Sequence, residues 1–206
     1  MIGSFDARLF TEATITLFVI MDPPGTIPVF LSLVGLRSRE LRRRAARQAV
    51  AVSLGVITLF ALGGEAILSY LGIGVPAMQG AGGILLLLVA LDLLTGRESA
   101  EPHGAEDVNV ALVPLGTPLL AGPGAIAATI VFVRQADGRL GAYLALAAAI
   151  VAVHAVLFAF LRYSDLVIKV LRQSGITLLA RIAGLLLAAI AVQLIADSVR
   201  GFAGGS

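Results

Sequence analysis

Six stretches of the chain are long and apolar enough to cross a lipid bilayer: residues 9–36, 48–70, 76–95, 110–133, 141–161 and 177–199. A hydrocarbon core about 30 Å thick needs about 20 helical residues to span it. Lipid offers the backbone no hydrogen-bonding partner, so such segments must bond internally and are helical. The predicted fold is therefore an all-α membrane protein. Composition agrees, with 58% of the 206 residues hydrophobic and only 14% charged. A soluble domain carries about 25% charge. The sequence pI near 9.5 does not point to nucleic acid, because the basic residues fall in short connections between apolar runs rather than along a polar face.

Several chemistries are excluded or disfavoured. The chain has no cysteine, which removes disulfides, thiolate metal sites and a Cys nucleophile. His103 and His154 are far apart, so no metal cluster and no cofactor are expected. No phosphate-binding loop of the nucleotide-hydrolysing type is present. No basic region precedes the first apolar run, so no cleaved signal peptide is expected.

Basic residues set the orientation of a multi-span protein, because they are retained on the cytoplasmic side. Six spans place Arg37, Arg39, Arg42, Arg43, Arg44, Arg47, Arg97, Arg162, Lys169, Arg172 and Arg181 on one side. The other side holds Arg8, Arg134, Arg139 and Arg200. This asymmetry predicts that both termini lie outside the plasma membrane and that the arginine-rich loop 37–47 is cytoplasmic. Residues 163–175 mix Leu166, Ile168 and Leu171 with Lys169 and Arg172, and read as a short interfacial segment.

The chain also carries an internal repeat. Pro24-Gly25-Thr26-Ile27 matches Pro123-Gly124-Ala125-Ile126 at a separation of 99 residues. Gly83-Ile84-Leu85-Leu86-Leu87 matches Gly184-Leu185-Leu186-Leu187-Ala188 at 101, which pairs Asp92 with Gln193. Each half would hold three spans, an odd number, so the second half must enter the membrane from the opposite side, as in many secondary transporters. The expected organisation is a first three-helix repeat over 1–98, a cytoplasmic linker over 99–109 and an inverted repeat over 110–206.

Helices 1 and 4 of this scheme should be broken, at Asp22-Pro23-Pro24-Gly25 and Gly122-Pro123-Gly124. Broken backbone is tolerated in a membrane only when buried in protein or lining a wet cavity. The half-helix N-termini suit an anionic group. Asp22 lies near mid-span, where a carboxylate is costly and is suited to a proton, a cation or a substrate ammonium; as a cap of the following half-helix it would instead satisfy free N–H groups. Thr26 and Thr117 offer hydroxyls to a substrate or bond back to their own helix. Gln79 and Gln193 are the other polar candidates within spans. His154 suits a proton relay or a neutral histidine bonded to a carbonyl.

Met21-Asp22-Pro23-Pro24-Gly25-Thr26-Ile27-Pro28-Val29-Phe30, the arginine-rich run, Ala81-Gly82-Gly83-Ile84-Leu85 and the string from Pro114-Leu115-Gly116-Thr117-Pro118 through Ala121-Gly122-Pro123-Gly124-Ala125-Ile126 resemble the MarC-like integral membrane proteins. The resemblance covers nearly the whole chain. It implies a relative of the LysE-type amino-acid exporters, and hence an inner-membrane transporter of small neutral amino acids such as glycine and alanine. H+ and Na+ are the candidate coupling ions for such a transporter. The expected partners are the bilayer, the amino acid and, as an open option, further copies of the chain. A membrane enzyme acting on lipid phosphates is the alternative, although its phosphate clamp would need Arg or Lys in mid-span, where the sequence has none. A passive channel or assembly factor is the third reading.

Overall fold

A computed structural model describes residues 5–34, 38–95 and 120–204. The described residues form seven helices and no strand: α1 (Ala7–Met21), α2 (Pro23–Val34), α3 (Arg39–Tyr70), α4 (Val75–Thr95), α5 (Pro123–Ala136), α6 (Leu140–Arg162) and α7 (Ser164–Gly204). Four stretches among them are long and apolar enough to cross a membrane: Arg39–Gly64, Val75–Thr95, Leu140–Arg162 and Ser174–Gly204. At 15, 12 and 14 residues, α1, α2 and α5 are each too short to cross alone. The linker over 99–109 and the first part of the fourth apolar stretch lie outside the described residues.

The arginine-rich run is not the loop expected from its polarity. It forms the first turns of α3, beginning at Arg39. The Ser38 hydroxyl accepts the Leu41 N–H at 3.4 Å and caps the helix, and arginine is a good helix former. At 32 residues, α3 is about 48 Å long and overshoots the hydrocarbon core, so its basic turns project beyond it. The short segment after α6 is helical too. It runs from Ser164 to a joint at Arg172, whose φ of 55° and ψ of 172° are not helical, and the spanning part of α7 follows.

Helices α4 and α7 run antiparallel. Pro76 meets Gly201, Gly80 meets Ser198 and Gly184 meets Leu93. Small residues let the backbones approach closely. A Cβ on Gly83 would stand 2.8 Å from the Ala191 carbonyl oxygen and 2.7 Å from Ile195 Cγ1. A Cβ on Gly184 would stand 3.2 Å from both the Ala90 carbonyl oxygen and Leu94 Cγ. Adding 101 to one residue number and subtracting it from the other turns the first pair of contacts into the second. The same reciprocity holds at a coarser level, since α2 packs on α6 and α7 whereas α5 packs on α3 and α4.

Two buried clusters result. The larger joins α1, α2, α3, α5 and α6 through residues such as Leu17, Phe30, Ile57, Phe132 and Leu157. The smaller lies between α4 and α7 around Leu86, Ala90, Leu187 and Ala191, and Val19 of α1 reaches into it.

Polar contacts close both ends of the bundle. At one, Arg42 forks onto Asp165 with two bonds of 2.8 Å. At the other, Asp6 caps α1 by accepting the Leu9 N–H at 3.0 Å and also accepts from Arg139 at 2.9 Å. That backbone N–H, and then Arg139, hold the Asp6 carboxyl below its ordinary value of 3.8. A lowered carboxylate pKa stabilises the fold above the unfolded value and stops doing so as the pH falls through the folded one. Asp6→Asn keeps the cap but loses the charge. The stability gap between wild type and Asp6→Asn is expected to be open at pH 7 and to narrow progressively as the pH falls below 3.8 in thermal unfolding scans.

Candidate functional site

The chain breaks between α1 and α2 at one residue. Asp22 has φ 39° and ψ 69°, in the left-handed region. The residue before a proline is disfavoured in the right-handed helical region, and Asp tolerates the left-handed one, so Pro23 stops α1 at Met21. The prolines themselves do not prolong the break. Pro23 and Pro24 form the first turn of α2, where a missing N–H costs nothing.

Asp22 serves both helices. Its N–H donates to the Phe18 carbonyl at 3.0 Å and ends α1. Its Oδ1 accepts the Gly25 N–H at 3.2 Å and caps α2. Its carbonyl accepts the Thr26 N–H at 3.0 Å and the Thr26 hydroxyl at 2.6 Å. Because two prolines open α2, Gly25 and Thr26 carry the first N–H groups of that helix, and both are satisfied by Asp22. The positive end of α2 is thus already occupied by the chain's own carboxylate. The proton of the Thr26 hydroxyl is taken by the end of α1, since the oxygen also lies 3.3 Å from the Met21 carbonyl, and only its lone pairs remain to accept from a ligand.

What remains open is Asp22 Oδ2. Asp22 is 9% exposed, and this oxygen is buried without a hydrogen-bond partner among the described residues. Thr14 Oγ1 on α1 shares that condition. An ionised carboxylate oxygen left bare in a protein interior costs several kcal/mol unless a cation or a hydrogen-bond donor covers it. Gly25 makes the arrangement possible, because a Cβ there would collide with the carboxylate, whose Cγ would lie 2.9 Å away.

The second break is built differently. Leu120 and Ala121 are buried and non-helical, Gly122 is extended at φ −62° and ψ 163°, and α5 starts at Pro123. Gly122 offers no side-chain cap, and its carbonyl accepts the Ala125 and Ile126 N–H groups. No hydrogen bond to the Gly124 N–H occurs among the described residues. A Cβ on Gly124 would overlap Leu86 of α4, with Cγ at 2.7 Å, so Gly124 is also a packing glycine. Met21 before the first break and Leu120, Ala121 and Ala125 around the second belong to one buried cluster, so both breaks are enclosed by protein.

Other sequence candidates fall elsewhere. Thr117 lies outside the described residues. Gln79 is half-buried in the first turns of α4, seven residues from Leu86, or about 10 Å along the helix. Gln193 is exposed on α7 and donates to Asp197 at 2.9 Å. Neither glutamine forms a hydrogen bond with either break among the described residues.

The structure adds a pair that the residue-by-residue reading missed. His154 Nε2 lies 3.2 Å from Ser53 Oγ, and His154 Nδ1 lies 2.8 Å from the Ile150 carbonyl oxygen. A carbonyl only accepts, so Nδ1 carries the proton and Nε2 accepts from the serine. The pair joins α3 to α6 in the buried interior, and its partners are 101 residues apart. That is the offset relating Gly83 to Gly184, a signal that could have found it. Removing the hydroxyl leaves Nε2 unpaired. Ser53→Ala is expected to cost about 1 kcal/mol, measurable as a lower denaturation midpoint in detergent. A variant as stable as wild type would show the contact to be incidental.

The profile of the MarC family integral membrane proteins matches residues 7–203. The chain belongs to this family. Similar proteins include a UPF0056 membrane protein of Methanocaldococcus jannaschii, 37% identical over 95% of this chain and 98% of its own. Another from Aquifex aeolicus is 36% identical over 93% and 92%. The UPF0056 membrane protein YvbG of Bacillus subtilis is 31% identical over 98% and 97%. No solved structure matches the chain. The MarC profile spans both breaks, the α4–α7 glycine contacts and the Ser53–His154 pair, and so takes in the whole framework around Asp22.

Proposed function

We propose that this MarC-family protein is a secondary transporter of small neutral amino acids in the plasma membrane, with Asp22 holding the coupling ion or the substrate ammonium. The enclosed Oδ2 of Asp22 beside a helix break, without a hydrogen-bond partner among the described residues, carries the reading. Six crossings arranged as two inverted halves would consist of the α1–α2 pair, α3, α4, residues 110–133 including α5, α6, and α7 from residue 174. The reciprocal glycine contacts and the Ser53–His154 pair support that arrangement, because a two-fold pseudo-axis sends each contact to its mirror and brings axial positions onto their own equivalents. The substrate carboxylate would face the Gly122–Gly124 break, where α5 lacks a side-chain cap, with Thr117 close by in sequence. Asp22, Pro23, Pro24, Gly25 and Thr26 would form the facing wall. The direct test is uptake and counterflow of labelled alanine, glycine and serine in proteoliposomes of the purified protein, under imposed H+ or Na+ gradients. Gradient-dependent accumulation is the expected result. Equilibration without accumulation would make the protein a channel, and no flux of any of the three would sink the amino-acid reading.

Orientation can be checked separately. The absence of native cysteine gives a clean background for single-cysteine labelling. Arg44→Cys on exposed α3 and Gln135→Cys on exposed α5 are expected to report opposite sides. An impermeant thiol reagent added to intact cells should label position 135 and spare position 44. The reverse pattern would place both termini inside.

A further inference from the structure

The basic end of the bundle holds more charge than its own partners neutralise. Arg39, Arg42, Arg43, Arg162 and Lys169 line a cavity of about 220 Å³ together with a single carboxylate, Asp165. An adjoining cavity shares Arg43 and Arg162 and adds Arg44, Arg47 and Glu40. Asp165 is taken up by its fork with Arg42. Among the described residues, Arg39, Arg43, Arg44, Arg47 and Lys169 form no ion pair. The helical state of the arginine run stacks Arg39, Arg43 and Arg47 at successive i, i+4 positions, an arrangement that is repulsive unless an anion lies over it.

The surroundings identify the anion. Tyr163 and Leu166 line the same cavity and are 56% and 58% exposed, with Val170 exposed one turn further along α7. The Arg162 guanidinium lies 5.2 Å from the Tyr163 ring centroid, so the wall of the cleft is both cationic and aromatic. Guanidinium groups match phosphate oxygens in pairs. Exposed apolar side chains beside them need a hydrocarbon cover that a free anion does not supply. The volume is below that of sites enclosing drug-sized ligands, and suits a headgroup phosphate whose tails remain outside.

We propose that this cleft, between the first turns of α3 and the elbow joining α6 to α7, binds the phosphate of an anionic phospholipid whose acyl chains run along the exposed apolar residues of α7. The lipid neutralises the stacked arginines and fixes the short Ser164–Leu171 segment at the membrane surface.

The test uses the full chain in nanodiscs of phosphatidylcholine doped with phosphatidylglycerol, and native mass spectrometry to count retained lipids. Arg39, Arg43 and Lys169 are exposed, so changing all three to Gln leaves the packing intact. Wild type is expected to retain phosphatidylglycerol over phosphatidylcholine by tenfold or more, and Arg39→Gln/Arg43→Gln/Lys169→Gln to lose that preference. Arg8→Gln/Arg200→Gln, at the opposite end, should keep it. Inorganic phosphate at about 10 mM should not displace the lipid, whereas about 1 M NaCl should weaken it by screening. Equal preference in the triple variant, or displacement by inorganic phosphate alone, would overturn the proposal. So would a wild type without preference that gains one when Glu98, Glu101, Glu106 and Asp107 are neutralised, since that result gives the cleft to the chain's own acidic linker.

Discussion

Asp22→Asn is expected to lower gradient-driven amino-acid uptake by more than about a hundredfold while leaving the protein folded and inserted. The size follows from the partner left behind. A cation or ammonium facing a neutral amide in place of a carboxylate loses about 3–5 kcal/mol, and each 1.4 kcal/mol is tenfold. Folding is spared because the amide oxygen of Asn can still accept the Gly25 N–H that Oδ1 accepts now. Asn caps helices about as well as Asp. Asp22→Ala separates the roles, because it removes both the charge and the cap. It is expected to transport no better than Asp22→Asn and to lose about 1 kcal/mol of stability as well. Proteoliposome uptake at matched protein content, together with denaturation of both variants, checks the pair. Wild-type uptake by Asp22→Asn would reduce Asp22 to a cap and remove the main support for the proposed transport site.

The second large effect is at Gly83. A methyl group there would press on the Ala191 carbonyl oxygen at 2.8 Å, and backbone cannot move aside as the end of a side chain can. Gly83→Ala is expected to cost about 1–3 kcal/mol, the usual penalty for overpacking. Gly184→Ala is the reciprocal substitution and should cost a similar amount, because a Cβ there would stand 2.9 Å from Leu93 Cβ, which cannot swing aside, and 3.2 Å from the Ala90 carbonyl oxygen. Gly55→Ala is the control. Nothing lies within 4 Å of the added carbon, and alanine is the better helix former, so a gain of about 0.5–1 kcal/mol is expected. Thermal unfolding in one detergent would rank the three. A Gly83→Ala protein as stable as wild type would show that α4 and α7 are not packed as tightly as these contacts indicate.

The prolines and glycines near residues 22–25 and 122–124 were legible as breaks because their chemistry is local. The sequence did not show that α2 starts at Pro23, so that the break is a single residue. It also did not show that Asp22 fills the positive end of α2 itself through Oδ1, with Oδ2 left unpartnered among the described residues. Gly25 was expected to help break the helix and instead leaves, within the first turn of α2, the space in which the Asp22 carboxylate sits. Polarity alone made the arginine run a loop. The cap at Ser38 and the tolerance of helices for arginine made it the start of α3.

The sequence by itself determined the all-helical membrane character of the chain, the places where helices must stop, and the family. Each of these depends on residue type, apolar length or backbone restriction within a few neighbouring positions. Only the tertiary structure decided which polar atoms are satisfied. Whether Asp22 Oδ2 is bare, whether His154 finds Ser53, and whether the arginines meet an acid depend on which helix faces come together. Those contacts join positions a hundred or more residues apart, where local propensity has no influence and the packing of whole helices sets the geometry.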